Sequence, residues 1–142
     1  MMIESVASEP AKRVATYGHD GAENGWLLEL YKDGRLTTAY LTACAPGAFK
    51  GYHLHRVRAA RYVCVRGRMK IILYAGGQRQ EHVLDAANPG RLFIPANTAT
   101  GLQNIGDEEA WLINYPDPPY DPNLADEQVE YTQEELEEGV VK

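Results

Sequence analysis

Apolar and polar residues alternate in short runs along most of this chain, and no long stretch carries the three-to-four spacing of a helix. In WLLELYKDGRLTTAYLTACAPG, Trp26 to Gly47, two β-rich runs flank Asp33-Gly34, an Asp-Gly pair that predicts a hairpin. ARYVCVRGRMKIILYAGGQRQEHVL, Ala60 to Leu84, gives three more runs, punctuated at Arg66-Gly67-Arg68 and at Gly76-Gly77. GRLFIPANTATGLQNIGDEEAWLINY, Gly90 to Tyr115, gives a further three, broken at Pro95-Ala96-Asn97 and at Gly106-Asp107-Glu108. Short strands at near-even spacing predict an all-β sandwich or barrel.

The texture changes after Tyr115. PDPPYDPN holds four prolines in eight residues, so it is no central strand but an extended segment laid over the barrel. Thr132 with Glu135 forms a capping box ahead of a short helix. The whole chain, 1–142, is expected to be a single domain with a core over about 25–115. A proline-rich segment and an acidic tail occupy 116–142. With 142 residues the chain is long enough for a substantial core.

Lys and Arg number 14 against 20 Asp and Glu, a net charge of −6, and that balance argues against non-specific nucleic-acid binding. The start, MMIESVASEPAKR, lacks the basic-then-apolar order of a signal peptide, and no apolar run is long enough to cross a membrane. A cytoplasmic protein is expected. Its two cysteines, Cys44 and Cys64, are then most simply free buried thiols.

The chemistry concentrates in GAFKGYHLH. His53 and His55 are two residues apart, so in a strand both imidazoles enter one space. They are placed to hold a metal, to move a proton, or to pack. The spacing from Gly47 through His53, His55 and position 60 to Gly67 resembles the first motif of the cupin superfamily. Pro95, Asn97, Thr100 and Asn104 occupy the places of its second motif. The likeness spans roughly Gly25 to Asn114 and implies a double-stranded β-helix, or jelly roll, with a short C-terminal helix. Where metal cupins carry a first-motif Glu and a second-motif His, this chain has Ala60 and Thr100. Only two candidate metal ligands remain, too few for the usual site of three or four, so no metal and no cofactor are expected.

Within the cupins, FKGYHLH resembles the corresponding segments of RmlC-like enzymes, the dTDP-4-dehydrorhamnose 3,5-epimerases and the dTDP-sugar 3,4-ketoisomerases. LINYPDPPYDPNLADE is similar to the epimerase tail, closest to a divergent branch. That resemblance implies a cofactor-free nucleotide-sugar epimerase or ketoisomerase, a homodimer, moving protons on a dTDP-4-keto-6-deoxyhexose-type substrate. It places the base on His53, with His55 as its partner, and a diphosphate contact on Lys50. It puts Asn114 where the epimerases carry a catalytic Tyr.

From the strand alternation, Tyr62 and Cys64 face inward with Ala60, and Tyr62 is a candidate proton donor. Arg61 belongs to a basic run with Arg56, Arg58, Arg66 and Arg68. Such a run is either a solvated rim or, in part, a partner for the diphosphate. Asn104, Asn114 and Tyr120 complete the candidate substrate contacts, with Tyr120 placed to close over a sugar or stack on a base. Two other functions fit the same residues: a non-catalytic cupin that binds a sugar or small metabolite, and a metal-dependent cupin enzyme using His53 and His55.

Overall fold

The computed structural model describes residues 12–32, 38–118, 121 and 123–142. The predicted turn at Asp33-Gly34 and the candidate Tyr120 lie outside the described residues. The strands are β1 (Arg13–Tyr17), β2 (Glu23–Lys32), β3 (Thr38–Cys44), β4 (Phe49–His55), β5 (Ala60–Arg66), β6 (Arg68–Ala75), β7 (Gln78–Asp85), β8 (Arg91–Ile94), β9 (Ala99–Asn104), β10 (Ala110–Asn114) and β11 (Gln128–Glu130). One helix follows, α1 (Gln133–Glu137).

They form two sheets, ordered β1-β2-β3-β10-β5-β8 and β11-β4-β9-β6-β7. All ladders are antiparallel, and successive strands cross repeatedly between the sheets. This is the expected all-β jelly roll. The first strand, RVATY, begins ahead of residue 25. It is short and largely exposed at a sheet edge, so it carries no clear alternation for a sequence to reveal.

Between the sheets lies a core of Cys44, Cys64, Met69, Ile71, Leu73, Leu84, Ile94 and Leu112. Cys44 on β3 and Cys64 on β5 are both free. Strand β10 runs between them, so two strand spacings of about 4.8 Å keep the thiols from pairing. A second cluster, Tyr52, Ile72 and Tyr131 with Phe49, Tyr74 and Leu136, lies where the C-terminal segment packs on the five-stranded sheet. Thr132 caps α1 by accepting from the Glu135 N–H, and the Glu135 side chain accepts from the Thr132 N–H, the capping box expected from sequence. Among the described residues no helix is long and apolar enough to cross a membrane.

Candidate functional site

Strand β4 supplies three of the side chains at the site because it is not a regular strand. Its pairing with β9 runs Phe49 to Gln103 and Lys50 to Leu102, then resumes at His53 opposite Thr100. Three steps on β4 match two on β9, so β4 carries a one-residue bulge. In an unbroken strand Lys50 and His53 would face opposite sides. With the bulge between them, both line one cavity. Gly51 sits inside the bulge at φ +129°, and a Cβ there would come 2.8 Å from the Thr100 carbonyl oxygen. Only glycine fits this approach.

The cavity has a volume of about 420 Å³, within the range of roughly 300–1,000 Å³ for small-molecule sites. His53, His55, Lys50, Tyr62, Thr42 and Asn114 are among its walls. A smaller recess of about 70 Å³ adjoins it, sharing His53, His55 and Tyr62 and lined also by Ala60 and Thr100. These last are the two places where metal cupins carry ligands. A methyl group and a neutral hydroxyl do not complete a metal site. Among the described residues no three His, Cys, Asp or Glu side chains are grouped to hold a metal ion.

The two imidazoles differ in their surroundings. His53 Nδ1 lies 3.2 Å from the Gln128 amide nitrogen and 3.8 Å from Glu130 Oε1, both on β11. Burial lowers its pKa, and His55, His19 and Lys50 lower it further against the opposing pull of Glu130. His55 Nδ1 lies 3.1 Å from Glu127 Oε1 and 3.0 Å from Arg58 Nη2. Burial and the Arg58 charge lower its pKa, while Glu127 raises it. Both rings are therefore neutral at pH 7, each with a lone pair to offer.

Nδ1 of His55 has a partner in either tautomer: protonated it donates to Glu127, bare it accepts from Arg58. Glu127 itself is buried and held by the Arg58 Nε–H at 2.6 Å and the Val57 N–H at 3.2 Å. Burial alone would raise its pKa. Hydrogen bonds from Arg58, Val57 and His55 outweigh that and hold it at about 2.

Tyr62 reaches the cavity from β5, and burial pushes its phenol up to about 12, so it stays protonated and able to donate. Asn114 also lines the cavity, and its Oδ1 accepts from the Arg61 N–H, which ties β10 to β5 at the wall. The other expected contacts lie elsewhere. Arg61 alternates to the outer face of β5, where it pairs with Asp117 at 3.3 Å and lies over the Phe93 ring. Cys64 faces inward but into the packed core, with its thiol donating to the Arg66 carbonyl. Asn104 is buried, and its amide donates to the carbonyls of Cys44, Ala45 and Glu108, which fixes the turn before β10.

Of the basic run, Arg56 caps carbonyls of Asp126 and Lys142, and Arg66 and Arg68 pair with Glu108 and Asp85. Only Arg58 joins the site. Sequence reasoning missed its partner Glu127, because one carboxylate within an acidic tail carries no distinguishing pattern.

Residues 20–128 match the family described as Polysaccharide biosynthesis C-terminal domain. A probable low-salt glycan biosynthesis epimerase, Agl13 of Haloferax volcanii, is 30% identical over 98 residues, covering 63% of this chain and 63% of that protein. The chain thus spans under two thirds of this curated relative. Among solved structures, the capsular polysaccharide assembling protein CapF of Staphylococcus aureus is similar with a TM-score of 0.71 at 19% identity, over 86% of this chain and 32% of that one. Oxalate decarboxylase of Bacillus subtilis is similar with a TM-score of 0.62 at 20% identity, over 77% and 28%. These two structures share the cupin fold with this chain.

Proposed function

The chain belongs to the polysaccharide biosynthesis C-terminal domain family, and from that premise we propose that it is a sugar-biosynthesis epimerase or ketoisomerase acting by proton transfer. Its substrate is a nucleotide-linked 4-keto-6-deoxyhexose of the dTDP type. The observation that carries this is the shared cavity: two neutral imidazoles and a protonated phenol line one volume of about 420 Å³.

Removing a proton from carbon beside a ketone needs a base near neutrality, and returning it needs an acid. His53 takes the proton. His55, oriented by Glu127 and Arg58, is its partner, and Tyr62 or the newly protonated imidazole returns a proton to the carbon. The Agl13 similarity supports epimerase chemistry, and the donor set at Ala60 and Thr100 supports chemistry without a metal. A small-molecule nucleotide sugar is then the ligand, the protein works in the cytoplasm, and it does so without nucleic acid or membrane. Four sheet edges, β1, β8, β11 and β7, support a homodimer that covers some of them. Light scattering at micromolar concentration should give the dimer mass, and a monomer alone would remove that part.

The catalytic test is incubation with dTDP-4-keto-6-deoxyglucose in deuterated water. Deuterium should enter at C3 or C5 for an epimerase, or at C4 for a ketoisomerase, and His53→Ala should slow its entry by roughly a hundredfold while the protein stays folded. Tight binding of the sugar nucleotide with no deuterium uptake would instead assign a non-catalytic binding role. Activity lost to a chelator and restored by metal would overturn the cofactor-free mechanism.

A further inference from the structure

Lys50 is a buried cation on the cavity wall that the proton-transfer steps above leave unused. It is buried, whereas His53 and His55 are half-buried. Its Nζ donates to the Thr42 hydroxyl at 3.1 Å, and Cys44 and Glu109 are close enough to act on its charge. Space for the ammonium is kept by Gly25, where a Cβ would stand 3.2 Å from Nζ and 1.9 Å from the Ala43 carbonyl oxygen. A buried ammonium whose described hydrogen bond goes to a neutral hydroxyl is costly for a fold to retain. The bulge that turns Lys50 inward is nevertheless part of the strand that carries both histidines.

Resting on the isomerase function proposed above, we infer that Lys50 holds the oxygen that becomes negative when the proton leaves the sugar, and does not hold the diphosphate. In that step the C–H electron pair becomes a carbon–carbon double bond, and the carbonyl π pair moves onto oxygen. The Lys50 ammonium donates a hydrogen bond to that oxygen, and the electrons return as a carbon is reprotonated. Nothing is oxidised or reduced overall. A preorganised cation in a site shielded from water stabilises such an oxygen far more than water does. A diphosphate carries several charged oxygens and must leave room for a nucleoside. Around Lys50 stand the Thr42 hydroxyl, the Gly25 backbone and the Cys44 thiol, with Glu109 acting on its charge, and among the described residues no second cation stands beside it to share a diphosphate. Burial lowers the Lys50 pKa, with Cys44 and Glu109 opposing it, and a lowered ammonium pKa matches an acidic hydrogen-bond donor better than a solvated surface lysine does.

The test compares wild type, Lys50→Met and Lys50→Gln for deuterium uptake and turnover of dTDP-4-keto-6-deoxyglucose, with calorimetry of dTDP alone. Lys50→Met should lower kcat by roughly a hundredfold or more, the worth of an oxyanion donor, and leave KM and dTDP affinity within about twofold. Its melting temperature should match or exceed that of wild type. If the Met variant does not fold, the Gln variant carries the same readouts. The wild-type kcat should fall as pH rises through the lowered lysine pKa, and that limb should be missing from Lys50→Gln. A raised KM and weakened dTDP binding with kcat unchanged would move Lys50 to the diphosphate and overturn the inference. Full activity in the variants would overturn it as well. A wild type that takes up no deuterium defeats the isomerase function itself and the role of Lys50 with it. A wild type that does, beside an equally active Lys50→Met, defeats the lysine alone.

Discussion

The carboxylate of Glu127 touches only one imidazole, yet it decides how that imidazole titrates. It raises the His55 pKa against the downward pull of burial and of Arg58. It also gives the ring a partner for a proton on Nδ1, so that Nε2 is left basic. Glu127→Gln keeps the size and an acceptor oxygen but removes the charge. Without that charge to offset it, the Arg58 guanidinium should lower the His55 pKa further. The expected result is a fall in kcat of about tenfold and a shift of the acid limb of kcat/KM to lower pH, read from pH–rate profiles and from the imidazole resonances in NMR titration. A purely structural carboxylate would lower activity at every pH and leave the limb in place. The two histidines were legible because their spacing matched both a strand period and a known motif. Glu127 was not, since it reaches the site only through a pairing that sequence does not reveal, Gln128 opposite His55.

At the scale of elements, punctuation was the readable signal. Gly67, Gly76 and Gly77 all adopt positive φ at the breaks where turns were expected, and the strand boundaries fall beside them. The inward face of β5 was equally readable from alternation, and it places Tyr62 in the cavity while turning Arg61 outward. What alternation cannot show is a change of phase. The extra residue in β4 sets Lys50 and His53 on the same side although three positions separate them, and only the pairing with β9 discloses it. Nor does a strand of three residues announce itself. β11 sits beyond a proline-rich stretch, yet it brings Gln128 and Glu130 to His53 and positions Glu127 beside His55. The C-terminal segment is thus both the cover of the Tyr52–Ile72 cluster and a wall of the site, a dual use that composition described only as an acidic tail.

For the molecule as a whole, the site makes folding stability depend on pH, and each contribution has a definite sign. Glu127 has a folded pKa of about 2, below the ordinary 4.5. Its contribution is therefore complete above about pH 4.5 and is lost as pH falls through about 2, and for this buried carboxylate it amounts to at most ~3 kcal/mol. His53 and His55 have folded pKa values lowered from 6.5, because burial resists their charging. Above pH 6.5 they are neutral whether the chain is folded or not and have no effect. As pH falls through their lowered values, the unfolded chain takes up protons first and stability drops. All three groups thus act in the same direction, so the protein should weaken in two steps on acidification, one beginning just below pH 6.5 and one between about 4.5 and 2. Denaturant titrations across this range should resolve both. Glu127→Gln should be less stable than wild type at pH 7, because Arg58 loses a buried partner, and the gap should close toward pH 2 where the wild-type carboxylate is itself protonated. A gap that stayed constant from pH 7 to pH 2 would mean that the loss comes from packing and not from the charge, and the electrostatic role given to Glu127 would fail with it.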